Sequence, residues 1–178
     1  VADRLMGRAV APEIGAWFKA LHEKHGVGVR LGVTIAAIEG AGKVERVVLG
    51  GGEAVPADLV VIGIGIVPNV ELAAAAGLAV SNGIEVDEFG RTSAPGIWAA
   101  GDCALQPNAF LGRKLRLESY QNAQDQAMAV ARNMVGEPKA YEDSRWVWSD
   151  QHDANLQMTG MPEGYDALVW RGDPAAGP

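Results

Sequence analysis

The chain has 178 residues, a formal net charge of −7 and a sequence pI near 4.9. That length suits one or two domains, and the acidic balance excludes a non-specific nucleic-acid binder, which needs surplus Lys and Arg to displace phosphate counterions. One cysteine, Cys103, excludes an internal disulfide and a CxxC pair, and a reducing cytoplasm is the expected compartment; no apolar run is long enough for a membrane span.

The sequence opens at Val1, in mid-pattern, as an excised piece of a longer chain would. Ala11 to His25 is predicted to be a helix: Pro12 suits its first turn, Gly26 the residue past its end, and Ile14, Phe18 and Leu21 share a face beside Trp17. Val27–Leu31 and Thr34–Glu39, parted by Gly32, read as strands. Lys43–Leu49, the tight turn Gly50–Gly52 and Glu53–Ala57 continue as a meander. Leu59–Ile62 is a continuous apolar run, expected to be a strand buried on both faces of an α/β sheet. Val70–Ala76 is a short Ala-rich helix stopped by Gly77. Gly83–Val86 is a strand, Asp87–Gly90 a turn and Ile97–Ala100 a buried strand. Ser119–Val135 is the longest helix, closed by Gly136 and then Pro138. Beyond it Trp146, Trp148 and Trp170 sit in short strand-like pieces, as if a further unit began, and the Gly/Pro/Ala-rich stretch 172–178 is expected to be disordered.

Four segments carry candidate chemistry. Asp58 to Asn69 joins a buried-type strand to Gly63-Ile64-Gly65-Ile66, where glycines admit a ligand or merely turn the chain. Thr92 to Asp102 ends in Gly101-Asp102, a carboxylate at a strand tip that can accept from sugar-like hydroxyls or simply cap a turn. The stretch Glu118 to Ala127 opens the long helix at Ser119, and its first amides and dipole favour negative charge; an ordinary amphipathic helix with a Ser cap reads the same. Trp146-Val147-Trp148-Ser149-Asp150-Gln151 puts two indoles on one strand face, over a flat ring or in a small core.

In this order the four segments resemble the putidaredoxin reductase and aromatic-ring dioxygenase ferredoxin reductase family, within the pyridine nucleotide–disulfide oxidoreductases. The likeness spans essentially the whole chain. It implies an α/β fold: a partial flavoprotein with two Rossmann-like dinucleotide-binding domains, a β-meander and the start of an α+β C-terminal domain. Residues 1–78 would be the later part of the NAD(P)-binding domain, 79–138 the C-terminal segment of the FAD-binding domain, and 139–178 the start of a partner-facing domain. The resemblance implies FAD and NAD(P)H as cofactors and a [2Fe–2S] ferredoxin, serving an oxygenase, as partner. By the same likeness Gly101 and Asp102 would meet the FAD ribityl chain, and Glu118, Ser119 and Tyr120 the isoalloxazine edge. Trp148 would lie at the flavin mouth, and Gly63, Ile64, Gly65 and Ile66 would line the NAD side. Both Gly-rich phosphate fingerprints of the family are missing: Gly50-Gly51-Gly52 is a hairpin turn, not a GxGxxG opening a helix.

No protein nucleophile or metal site is expected, because a flavin carries such chemistry. His22, His25 and His152 are scattered, and Cys103 reads as a packed thiol. Arg113, Lys114 and Arg116 form a basic cluster that either steers an acidic ferredoxin or is a solvated loop. An NADH oxidase, a rubredoxin reductase, a nitrite reductase flavin subunit and an inactive fragment are the rival readings; Trp148-Ser149-Asp150-Gln151 speaks against the first three by likeness.

Overall fold

The structure, a computed structural model, describes residues 2–142 and 145–173. Part of the tail expected to be disordered, 174–178, lies outside them. The chain divides into two compact units, Val1–Gly65 with Met161–Pro178, and Ile66–Gly160.

In the first unit α1 (Pro12–Lys24) starts at Pro12, whose ring suits the first turn and whose missing N–H would have had no intrahelical partner there. Phe18 and Leu21 are buried on its inner face with Gly15. Gly26 follows with φ 81; its N–H reaches the Glu23 carbonyl at 3.0 Å, and the Val27 N–H reaches His22 at 3.0 Å. These two bonds satisfy carbonyls the helix leaves open, the Schellman arrangement. Val27–Leu31 is therefore not the strand expected: its first N–H is committed to the helix end, and it pairs with no strand among the described residues.

β1 (Ile35–Glu39), β2 (Arg46–Leu49) and β3 (Ala54–Pro56) form the antiparallel meander, with Glu39 opposite Arg46 and their side chains paired at 2.7 Å. Gly52 turns the chain at φ 86, its N–H on the Leu49 carbonyl at 2.8 Å. Leu59–Ile62 departs from expectation: it forms no strand, and Leu59 and Val61 are 79% and 87% exposed. An apolar run becomes a buried parallel strand only between neighbouring strands, and no described segment pairs with it.

The second unit holds α2 (Glu71–Ala75), ended like α1: Gly77 N–H on Ala74, Leu78 N–H on Ala73, with Ala73 and Leu78 both buried. Its sheet runs β4 (Val80–Ser81), β5 (Gly83–Glu85), β6 (Ala104–Asn108), β7 (Arg113–Leu115). β5 and β6 are parallel, with Ile84 opposite Ala104; the outer pairs are antiparallel. β6, not Ile97–Ala100, is thus the inner strand. Pro95 and Gly96 fold Thr92 back onto Ile97, where the Thr92 hydroxyl donates to the Ile97 carbonyl at 2.9 Å, and only a single bridge, Arg91 to Trp98, remains of the expected strand.

α3 (Tyr120–Met134) is capped by Ser119, whose Oγ accepts from the Asn122 N–H at 3.2 Å. Its end repeats the pattern a third time, with Gly136 on Asn133 and Glu137 on Arg132. Val86, Ala104, Leu105, Leu117 and Val130 are buried in this unit. Gly90 has φ 82, and a Cβ there would stand 2.3 Å from Val130 Cγ2, so only glycine fits both the conformation and the space. β8 (Trp146–Gln151) and β9 (Ala154–Thr159) form a hairpin in unbroken register from Trp146 opposite Thr159 to Gln151 opposite Ala154. Trp170 lies outside any strand.

Candidate functional site

The second unit brings Gly101-Asp102 and the start of α3 to one place through side chains of both. Gly101–Cys103 is a 3-10 turn between an extended Ala100 and β6. Gly101 is buried with φ 78, and its Cα hydrogens face Ala123 of α3, 3.6 Å from where a Cβ would lie. Asp102 is exposed at the surface of this turn. The Cys103 thiol leans on the Ala100 carbonyl at 3.5 Å, the packed role expected of it.

Arg116 fastens the turn to the helix entry. Its Nη1 donates to the Asp102 carbonyl at 2.9 Å, and its Nη2 lies 2.6 Å from Glu118 Oε1. Its side chain is only 6% exposed, and its Nε is buried without a hydrogen-bond partner. Grouping Arg116 with exposed docking cations is therefore corrected: its guanidinium spans two segments of its own fold, as a planar fork can and an ammonium cannot. Lys114 is half-exposed and pairs with Glu85 across the sheet at 2.6 Å, and Arg113 is exposed on the same strand. Hydrogen bonds from Lys114 and Ser81, with the Lys114 charge, hold the Glu85 carboxyl below its ordinary range.

The helix entry faces outward. Ser119 satisfies the Asn122 amide, while the amides of Tyr120 and Gln121 have no intrahelical acceptor by position. Tyr120 is exposed and meets Trp148 edge-on at 6.3 Å; Trp148 stacks on Trp146 at 5.2 Å and 27°. The two indoles do share a face, and Trp148 remains half-exposed instead of closing a core. Behind this surface α3 buries amides. Asn122 Nδ2 donates to the Leu117 carbonyl at 3.0 Å and its Oδ1 accepts from Tyr141 Oη at 3.2 Å. Gln126 Oε1 accepts from the Gly101 N–H at 2.7 Å, and its Nε2 donates to Gln106 Oε1 at 2.6 Å.

The chemistry of an exposed carboxylate, helix amides without intrahelical acceptors and an aromatic pair suits a flavin's polar edge. The other predicted residues lie elsewhere. Gly63, Ile64 and Gly65 close the first unit and Ile66 opens the second; all four are exposed and in no strand. Gly65 has φ 101, with Arg8 Nη2 3.1 Å from where a Cβ would be. Sequence reasoning missed Arg116 as a fastener, and Gln106 and Gln126 altogether as site residues. Their signal was an Arg two residues before Glu118, and amides at 122 and 126 on the inward helix face. Among the described residues no group of three His, Cys, Asp or Glu could hold a metal, and no helix is long and apolar enough to cross a membrane.

Residues 1–127 match the family described as pyridine nucleotide-disulphide oxidoreductase, and residues 146–178 match one described as reductase C-terminal. The anthranilate 1,2-dioxygenase system ferredoxin–NAD(+) reductase component of Burkholderia cepacia is 45% identical over 99% of this chain and 44% of its own length. The 5,5'-dehydrodivanillate O-demethylase ferredoxin reductase subunit of a Sphingobium species is 44% identical over 97% of this chain and 43% of its own. The ferredoxin reductase for the CYP199A2 system from Rhodopseudomonas palustris superposes with a TM-score of 0.93 at 46% identity, over 98% of this chain and 44% of that one. The chain thus spans less than half the length of these relatives.

Proposed function

The chain belongs to the pyridine nucleotide-disulphide oxidoreductase family, and from that membership we propose that the whole protein is an FAD-dependent reductase passing electrons from NAD(P)H to a [2Fe–2S] ferredoxin that serves an oxygenase. The observation carrying this reading is the cluster in the second unit, where Arg116 ties the Asp102 peptide to Glu118 at the mouth of α3. Its support is the naming of the relatives, which are ferredoxin reductases of oxygenase systems.

FAD held there would supply the redox chemistry, hydride acceptance from NAD(P)H and release of single electrons. The chain's own residues bind and orient. Asp102 accepts hydrogen bonds from ribityl hydroxyls. The amides of Tyr120 and Gln121, aided by the α3 dipole, favour electron density at the ring edge. Tyr120 and Trp148 limit access of water at the mouth. Gly63 to Ile66 line the nicotinamide side. Arg113 and Lys114 steer an acidic ferredoxin by charge, without Arg116. Residues 1–78, 79–138 and 139–178 serve as NAD(P)-binding, FAD-binding and partner-facing segments; the separate family match from residue 146 supports the last of these alone. The compartment proposed is a reducing cytoplasm, compatible with the lone thiol.

The test is cytochrome c reduction by the purified holoenzyme with NADH or NADPH, with and without a [2Fe–2S] ferredoxin. Ferredoxin-dependent reduction is expected. Equal rates without it, with oxygen consumed instead, would assign an NADH oxidase.

A further inference from the structure

The face α3 turns inward is unusual in what it buries. Asn122, Gln126 and Asn133 share it with Val130, and Gln126 is 1% exposed. Buried amides require partners, and each has them: Asn122 holds Leu117 and Tyr141, while Asn133 holds Phe89 and Lys139. Gln126 alone reaches the Asp102 turn. The Gly101 N–H can only donate, so it must meet Gln126 Oε1, and that leaves Nε2 for Gln106 on β6. One side chain therefore ties the start of the turn, the strand after it and the helix whose first amides lie beside it. Arg116 grips the same turn at its other end, through the Asp102 carbonyl.

We propose that Gln126 is a positioning residue for the Asp102 turn: by accepting from the Gly101 amide it ties the turn directly to α3, fixes the spacing between the Asp102 carboxylate and the amino end of α3, and so sets the environment of the flavin. It rests on the reading that FAD lies against Asp102 and Ser119. A hydrocarbon of similar length at 126 would fill the space yet leave the Gly101 N–H and Gln106 Oε1 without each other's bridge. The turn could then drift, and small displacements of positioning groups lower rates steeply.

The test compares variants of the holoenzyme. Gln126→Met removes both bonds. Gln106→Met removes the 2.6 Å bond but leaves Gly101 its acceptor. Gln126→Glu keeps an acceptor for Gly101. Amide hydrogen exchange at Gly101, the flavin visible spectrum and its midpoint potential are read with kcat and KM. Gln126→Met is expected to speed Gly101 exchange about tenfold or more, shift the flavin spectrum and lower kcat about tenfold, with KM for NAD(P)H nearly unchanged. Gln106→Met should leave the spectrum as in wild type, and Gln126→Glu should restore protection of Gly101. Equal effects of Gln126→Met and Gln106→Met would overturn the proposal, because they would signify general packing. Should Gln126→Met not accumulate, Gln126→Asn, too short for both bonds, takes its place with the same expected outcomes. Asp102→Asn separates the two layers. If it leaves FAD binding and spectrum untouched, the flavin placement itself falls. If it weakens FAD while Gln126→Met changes neither exchange nor spectrum, only the positioning role falls.

Discussion

Arg116→Lys is the substitution that discriminates most sharply between a fastener and a docking charge. Lysine keeps the positive charge, but one ammonium cannot reach both the Asp102 carbonyl at 2.9 Å and Glu118 at 2.6 Å in the directions the guanidinium uses. A hydrogen bond from a charged donor to a carbonyl is worth about 1.5–3 kcal/mol. Glu118 is about a third exposed, so its pairing counts at the level of a solvent-screened pair, about 0.2–1 kcal/mol. Lysine retains the weaker contact and gives up the stronger, a loss of about 2 kcal/mol concentrated on the Asp102 turn. If flavin binding must restore the turn, the FAD dissociation constant rises about thirtyfold. Titrating apoenzyme with FAD, followed by flavin fluorescence quenching, measures it. The salt dependence of ferredoxin reduction should not change. An affinity within twofold of wild type would refute the reasoning and return Arg116 to the surface cations.

Three further outcomes are expected. The Glu85 carboxyl, stabilised as its anion by Lys114 and Ser81, titrates below the ordinary Glu range; its contribution to stability is complete above the unfolded-state pKa and is lost as pH falls through the depressed folded value. Carbon-detected NMR titration should find that low midpoint, and Lys114→Met should raise it; an unchanged midpoint would count against the pair. Gly90→Ala should destabilise by about 2–4 kcal/mol, from a left-handed conformation plus overpacking against Val130, whereas Gly136→Ala, with open space around it, should cost about 1–2 kcal/mol; equal shifts in urea denaturation would contradict this. Arg113→Gln with Lys114→Gln should slow ferredoxin reduction at low salt and converge with wild type at high salt, and parallel curves would remove the steering role.

What the sequence made legible was mostly local. Gly26, Gly77 and Gly136 each mark the end of a helix, and each proves to be the left-handed residue of the same hydrogen-bonded cap. Ser119 was equally readable, because its cap depends on residues three positions away. The failures depend on partners distant in sequence. Leu59–Ile62 has the composition of an inner strand, but composition does not supply the strands beside it. β6, which pairs with β5, was hidden because Gln106, Pro107 and Asn108 lack strand character, and Ile97–Ala100 was read as the buried strand. Arg116 looked like a surface charge until its carbonyl acceptor, 14 residues back, came into view. Gln126 sat inside a motif read for its helix, with nothing to announce an amide 25 residues away.

The bare stretch from Leu59 to Val67 has a practical consequence. Leu59, Val61, Ile62, Ile64, Ile66 and Val67 all present hydrocarbon to water, and the sequence from Leu59 to Val67 carries no charged residue. A β-branched, uncharged and unpaired segment is a template on which identical molecules add edge to edge. Produced by itself, the polypeptide invites colloidal self-association during purification, and a carboxylate grafted at Ile64 is the simplest solubilising change.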